Sequence, residues 1–169
     1  LDIVDQQVNN LLSVKSLLIV SYDRATHKWN VIYQRGMEPL VSAKDYSLDQ
    51  GMIGYVIENN EAVMFNSKKT ARAFLERHGR KSIVEIPDSQ MLIPLTVSDQ
   101  VIGAMSALNY GPQGKFQDND LRLFITIGNQ VSIALENAAC SHRLNSLPCT
   151  IHLPACTTGT ISSRMPNRN

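Results

Sequence analysis

The side chains best suited to chemistry in this chain are four histidines and three cysteines. The histidines are His27, His78, His142 and His152, and none of them lies beside a serine or cysteine in a nucleophile motif. Neither an H-E-x-x-H helix nor a phosphate-binding P-loop occurs. Because the sequence offers no convergent acid, base and nucleophile, we expect no catalytic residue and no enzymatic activity.

The cysteines lie close to the C-terminal end of the chain, at Cys140, Cys149 and Cys156. Together with His142 and His152 they could supply four tetrahedral ligands to a metal ion. The spacing Cys149-x-x-His152-x-x-x-Cys156 matches no standard zinc knuckle, so we expect no metal site. An odd number of cysteines, with none in the predicted core, argues against a disulfide framework and predicts a cytoplasmic protein.

Composition and charge exclude several further classes of protein. Of 169 residues, 43% are hydrophobic and 18% are charged, which is ordinary for a globular domain. The formal net charge is +1 and neither sign clusters, so we expect no contact with nucleic acid. No apolar run is long enough to insert into a membrane. The first residue is leucine and no leader precedes it, so we expect a piece of a longer polypeptide.

Two β-rich runs in the middle of the chain predict a hairpin. Met91–Val97 and Val101–Leu108 are joined by the polar turn Ser98-Asp99-Gln100. Almost every residue inside both runs is apolar or small, so we expect the hairpin to be covered on both faces. The earlier runs Leu17–Tyr22 and Trp29–Tyr33 predict a second hairpin, because a polar turn separates them.

Helical periodicity appears at both ends of the predicted fold and twice in between. Residues 1–13 place Val4, Val8, Leu11 and Leu12 on one face, and residues 117–145 repeat apolar side chains at three and four. The outer face of this last helix is polar but nearly neutral, which indicates contact with another helix and a homodimer through the terminal helices. The segments 49–60 and 69–78 predict two shorter helices, on either side of a short strand at Ala62–Phe65.

This order of elements predicts an α+β sandwich in a single domain, residues 1–145. A central antiparallel sheet would carry the N- and C-terminal helices on one face. Segment 40–88, made of loops and short helices, would cap the other face, which is how small-ligand pockets are built. Residues 146–169 contain no acidic residue and no apolar period, so we expect a disordered or non-native tail.

From Ser16 to Ala139 the chain resembles a GAF domain, the small-molecule-sensing module of many signalling proteins. The resemblance lies in LDQGMIGYVIENNEAV with Gly51 and Gly54, SQMLIPL, VIGAMSALNY, Phe116-x-x-x-Asp120 and VSIALENA. It implies a sensory or regulatory domain of a multidomain, bacterial-style signal-transduction protein, such as a two-component system. Such a domain binds a small ligand and relays the change through its terminal helices to an output domain in cis. The alternative is a ligand-free GAF-like module for dimerisation and spacing.

Several branches of the family use chemistry that this chain matches less well. The branch that reduces free methionine sulfoxide uses cysteines in the middle of the domain, whereas residues 1–139 contain none. The cyclic-nucleotide branch resembles Asn-Lys followed by Phe-x-x-x-Asp-Glu, and here Leu121 stands where the glutamate would be. Bilin attachment needs a pocket cysteine, and His78 is the single candidate for a haem ligand in the pocket half. The resemblance therefore leaves the cofactor and the ligand unknown.

Six apolar or amide side chains on the segments expected to form the pocket are candidate ligand-binding residues: Phe65, Asn66, Phe74, Met91, Ile93 and Met105. The same side chains could simply fill a core. If they line a pocket, Asn66 and either Arg72 or Arg77 would orient the ligand. Methionine side chains would tolerate ligands of varied shape.

Overall fold

A six-stranded sheet and four helices make up the computed structural model, which describes residues 2–12, 14–36, 46–111 and 114–145. The predicted tail, residues 146–169, lies outside the described residues. The elements are α1 (Asp2–Leu12), β1 (Ser16–Asp23), β2 (Lys28–Arg35), β3 (Tyr46–Ser47), α2 (Gly51–Asn59), β4 (Val63–Phe65), α3 (Lys68–Arg77), β5 (Ser89–Val97), β6 (Gln100–Asn109) and α4 (Asp118–Asn145). Apart from the two-residue strand β3, this is the predicted order.

The sheet is antiparallel throughout, with the strand order β3-β2-β1-β6-β5-β4. The predicted hairpin β5–β6 therefore lies inside the sheet, and β1 pairs with β6 at its centre. Ser98 and Asp99 form the turn between β5 and β6, with φ angles of 48° and 62°. Two residues with positive φ match the right-handed twist of the flanking strands.

Two residues that are unusual inside strands have clear physical reasons for their positions. The short strand β4 pairs only with Gln90–Leu92 of β5, so Pro94 lies beyond that paired stretch. Because the edge of β5 is open there, the missing N–H of proline costs little. At Gly103 in β6, a Cβ atom would lie 2.1 Å from the carbonyl oxygen of Val20 in β1. Only glycine permits this close approach of β1 and β6.

The terminal helices cover one face of the sheet, as predicted. Val8 and Leu12 of α1 and Phe124 and Val131 of α4 are buried against it, whereas Leu11 is 57% exposed. The helix-side core joins these to side chains of β1, β5 and β6: Leu17, Ile19, Met91, Ile93, Leu95, Met105 and Ala107. The helix α4 begins within one residue of its predicted start, and the Gln117 N–H donates to the Asp120 carboxylate, 2.8 Å away, as in a capping box.

The middle of the chain covers the other face. Here α2, α3 and the segment that follows α3 pack on Leu18, Val20, Leu92 and Ala104, and we call this the cap-side core. Trp29, the only tryptophan in the chain, is fully buried in it and stacks on Tyr46 with ring centroids 4.2 Å apart. The two cores confirm the predicted α+β arrangement. Among the described helices, none combines the length and apolar character needed to span a membrane.

Candidate functional site

A cavity lies on the cap side, between the sheet and the elements that cover it. Its floor is formed by five side chains of three neighbouring strands: Leu18, Gln90, Leu92, Ser106 and Leu108. Its roof is formed by the first turn of α2, Gly51–Ile53, and by residues 82–87, which we call the strap. The floor residues share one face because Leu18 and Leu92 both pair with Ser106 and Gln90 pairs with Leu108.

The cavity has little free space in this state. The space that the centre of a water molecule can reach is about 40 Å³, which is room for roughly three waters at ~10–15 Å³ each. Pockets for drug-sized ligands have volumes of ~300–1,000 Å³. A ligand larger than a few waters therefore requires movement of the roof.

The polar groups of the cavity carry no charge. Of the described residues that line it, Ser82, Gln90 and Ser106 are polar, and none is acidic, basic or histidine. Gln90 is 4% exposed and Ser106 is 2% exposed. The Gln90 side-chain amide donates to the Met52 thioether, with Nε2 2.8 Å from Sδ. Because a thioether is a weak acceptor, this buried donor is poorly satisfied.

Backbone hydrogen bonds hold the strap at its two ends, and the side chain of Glu85 in its middle pairs with Lys68 over 3.1 Å. Next to its start, the Gly51 N–H donates to the Lys81 carbonyl over 3.0 Å, and next to its end the Asp88 N–H donates to the Asn109 carbonyl over 3.1 Å. Between these points the strap has no helix or strand, and Ile83 and Ile86 are half-buried against the cap-side core. The strap can thus be displaced without breaking the sheet.

Arg80 fastens the chain just before the strap to α2. Its guanidinium donates to the Leu48 carbonyl and to the Glu58 carboxylate, and it lies over the Tyr55 ring at 5.6 Å from the centroid. The backbone at Leu48 can approach α2 this closely only because residue 54 is glycine, since a Cβ there would lie 2.0 Å from the Leu48 carbonyl oxygen. Sequence reasoning identified Gly54 but missed Arg80.

An aromatic cluster lies between α2, β4 and α3. Phe74 contacts the rings of Tyr55, Phe65 and His78, with centroids 4.7, 5.0 and 4.5 Å away. The Tyr55 hydroxyl donates to the Glu61 carboxylate over 2.9 Å, and this hydrogen bond raises the pKa of the tyrosine. The predicted candidates Phe65 and Phe74 thus hold α3 against α2, and neither lines the cavity.

The side-chain amide of Asn66, the next predicted candidate, is hydrogen-bonded to the backbone of Phe116. Its Nδ2 donates to the Phe116 carbonyl and its Oδ1 accepts from the Phe116 N–H, both over 2.8 Å. Asn66 directly precedes the N-cap residue of α3, Ser67, and Phe116 lies two residues before α4. The amide therefore joins the start of α3 to the start of α4. Arg72 and Arg77, the proposed partners of Asn66, are exposed on α3.

The remaining three candidates, Met91, Ile93 and Met105, are buried on the opposite face, in the helix-side core. The structure therefore does not bring the six candidates into one pocket. Because side chains alternate along a strand, the neighbours Gln90, Leu92 and Ser106 face the cavity instead. The signal that could have found them is the presence of a polar residue within an otherwise apolar run. Ligand binding by any of the six candidates stays a prediction.

Metal-binding side chains do not gather in the part of the chain that the structure describes. No group of three or more His, Cys, Asp or Glu residues there could hold an ion. Cys149, His152 and Cys156 lie outside the described residues, as does the side chain of Cys140.

An antiparallel sheet with terminal helices on one face and a capped cavity on the other defines a known class of α+β domain. Residues 2–136 match the family model of the GAF domain, and the chain belongs to this family. The resemblance inferred from sequence is confirmed. A comparison with curated proteins finds no match.

Solved structures share this fold at low sequence identity. The GAF domain of an Acinetobacter phosphoenolpyruvate-protein phosphotransferase is 20% identical, with a TM-score of 0.68, over 85% of this chain and 84% of that one. The second GAF domain of DevS from Mycobacterium smegmatis is 14% identical, with a TM-score of 0.64, over 84% and 94%. A fragment of a methyl-accepting chemotaxis protein is 16% identical, with a TM-score of 0.67, over 85% and 89%.

Proposed function

We propose that this chain is a sensory or regulatory GAF domain of a multidomain signal-transduction protein. It binds a small ligand in the cavity and relays the change through α1 and α4 to an output domain in cis. The observation that carries this proposal is the cavity itself, which lies on the face of the sheet opposite the terminal helices. Membership of the GAF family and the likeness to a chemotaxis protein support the assignment to signalling.

The floor of the cavity gives a physical route for the signal. Gln90 and Leu92 face the ligand side, while their neighbours Met91 and Ile93 pack in the core beneath α4. A shift of β5 on ligand binding therefore changes the packing of α4. The Asn66–Phe116 hydrogen bonds provide a second connection, from the cap to the start of α4. The ligand can move this equilibrium only by the difference between its affinities for the two states.

The proposal includes a homodimer formed by the terminal helices. Ile125 and Ile133 of α4 are 38% and 59% exposed, and Asn129 lies between them at four-residue spacing. Exposed apolar side chains on an uncharged helix face of this kind are typical of helices that pair with another helix. The structural relatives from Acinetobacter and Mycobacterium support a bacterial origin, and we infer a cytoplasmic domain that neither catalyses a reaction nor contacts nucleic acid.

A second candidate is a ligand-free dimerisation and spacing module, which the small cavity volume favours. The test uses native mass spectrometry and thermal shifts of the whole chain against panels of metabolites. The Ser106→Leu variant fills the cavity from its floor, and Ser47→Leu, an exposed site, is the matched control.

For a sensor, the wild type retains a bound mass or is stabilised by a metabolite, Ser106→Leu loses this effect, and Ser47→Leu keeps it. If nothing binds the wild type and filling the cavity changes only the melting temperature, the spacing module is the better description.

A further inference from the structure

We infer that the cavity takes a small uncharged ligand with an apolar body and one hydrogen-bond acceptor, and that this acceptor replaces the Met52 thioether on the Gln90 amide. The inference rests on the proposed function, because it concerns the ligand of the same cavity. It assigns Met52 as a movable plug and Gln90 as the residue that selects the ligand.

The lining excludes charged ligands on energetic grounds. An ion entering a cavity with room for only a few waters loses most of its hydration, and among the described lining residues none offers an opposite charge. The Arg80 guanidinium, which lies 3.5 Å from the carbonyl oxygen of the lining residue Gly51, is already bound by the Leu48 carbonyl and by Glu58. The Glu85 side chain of the strap is 76% exposed and paired with Lys68. The first N–H of α2, at Gly51, is taken by the Lys81 carbonyl.

The Gln90 amide is the polar group of the cavity whose hydrogen bond a ligand can improve. The Gln90 side chain is buried, and the described hydrogen bond of its Nε2 goes to the Met52 sulfur, 2.8 Å away. A carbonyl, ether or hydroxyl oxygen accepts a hydrogen bond more strongly than a thioether does. A ligand with such an oxygen therefore forms a stronger hydrogen bond with the Gln90 amide than the Met52 thioether does. Ser106, on the neighbouring strand β6, supplies a second polar group in the same floor.

Met52 can make room and release the amide in a single movement. Its side chain is 7% exposed, lies in the first turn of α2 and lines the roof. Methionine is unbranched and flexible, so a change of rotamer can shift its thioether without unfolding the helix. The space vacated adds to the 40 Å³ already present, and the freed Nε2 faces it. This points to a ligand with a single ring or a short branched chain.

The test uses three probes of one shape: benzamide, which is neutral and has an acceptor; benzoate, its charged counterpart; and toluene, which lacks the acceptor. Binding is measured on the whole chain by fluorescence of the single, buried Trp29 and by NMR titration. The variants are Gln90→Met and Met52→Ala, with the less disruptive Met52→Leu in case Met52→Ala fails to fold. Met64→Ala, a methionine packed against the helix-side core, is the matched control.

We expect benzamide to bind the wild type and benzoate not to bind. Gln90→Met should weaken benzamide by about threefold to tenfold, the effect of one hydrogen bond, and leave toluene unchanged. Met52→Ala and Met52→Leu should strengthen benzamide, because the amide no longer has a competing partner, whereas Met64→Ala should not.

If benzoate binds as tightly as benzamide, or if Gln90→Met leaves benzamide unaffected, the ligand class is wrong and the sensing cavity stands. If none of the three probes binds the wild type or either Met52 variant, the inferred ligand class is wrong. The sensing cavity itself fails only if, in addition, no metabolite stabilises the wild type in a way that Ser106→Leu abolishes.

Discussion

The pair of hydrogen bonds between Asn66 and Phe116 should contribute measurably to the stability of the domain. Both bonds are 2.8 Å long and join residues fifty positions apart in the sequence. Phe116 is 4% exposed, so its backbone groups have little access to water. The Asn66→Ala substitution removes both bonds and leaves a buried donor and a buried acceptor unpaired.

The magnitude follows from these two groups. A hydrogen bond contributes ~0.5–1.5 kcal/mol net, and an unsatisfied buried group costs ~1–3 kcal/mol. Because Asn66 itself is only half-buried, water can reach part of the vacated space, and we expect Asn66→Ala to lower the free energy of unfolding by about 2–4 kcal/mol. Asn66→Asp should be no milder, because it keeps the acceptor for the Phe116 N–H but places a carboxylate oxygen against the Phe116 carbonyl.

The assay is urea unfolding of the whole chain at 25 °C, followed by the fluorescence of Trp29. Asn119→Ala, at an exposed asparagine in the first turn of α4 and away from the proposed dimer face, is the control and should change the free energy of unfolding by less than about 0.5 kcal/mol. If Asn66→Ala is as mild as Asn119→Ala, the amide does not hold the two helix starts together and the reasoning is refuted.

Three further predictions concern the core, the dimer and acid stability. Phe124→Ala should cost about 3–5 kcal/mol in urea unfolding, because the ring is fully buried; a cost under 1 kcal/mol would contradict the described core. Ile133→Glu should convert the proposed dimer to a monomer in light scattering; an unchanged mass would move the interface elsewhere. Hydrogen bonds from the Ala25 N–H and the Thr26 hydroxyl lower the pKa of Asp23, so its stabilisation is present above the unfolded-state pKa and lost as pH falls through the folded-state value. Asp23→Ala should therefore show a smaller loss of stability on acidification in melts from pH 6 to about pH 2; an unchanged profile would contradict this role.

The helices and the positions of the longer strands along the chain could be predicted from the sequence because their signals are local, whereas the order of the strands within the sheet was not predicted. Helix α4 carries a long apolar period and acidic residues in its first turn, and its predicted and observed ranges differ by one residue at the start. The hairpin β5–β6 is bounded by a short polar turn. The two-residue strand β3 has no such signal, because its pairing depends on β2.

The cavity could be predicted only in outline, because its position depends on which face each side chain takes. The runs of β5 and β6 are apolar on both faces, so alternation could not distinguish Met91 from Leu92. The role of Arg80 was also hidden, since its partners Leu48 and Glu58 are 32 and 22 residues away. Only the folded chain brings these groups together.

The alternation of side chains in the central strands has a consequence for how such a domain can diversify. In residues 17–20 of β1, 90–93 of β5 and 104–108 of β6, the even-numbered core and cavity residues lie under the cap and the odd-numbered ones lie under the terminal helices. Substitutions at even positions therefore change the surface under the cap and leave the packing of the terminal helices intact. Under the proposed sensing function, evolution can change the ligand of such a domain without changing the contacts that would carry its signal.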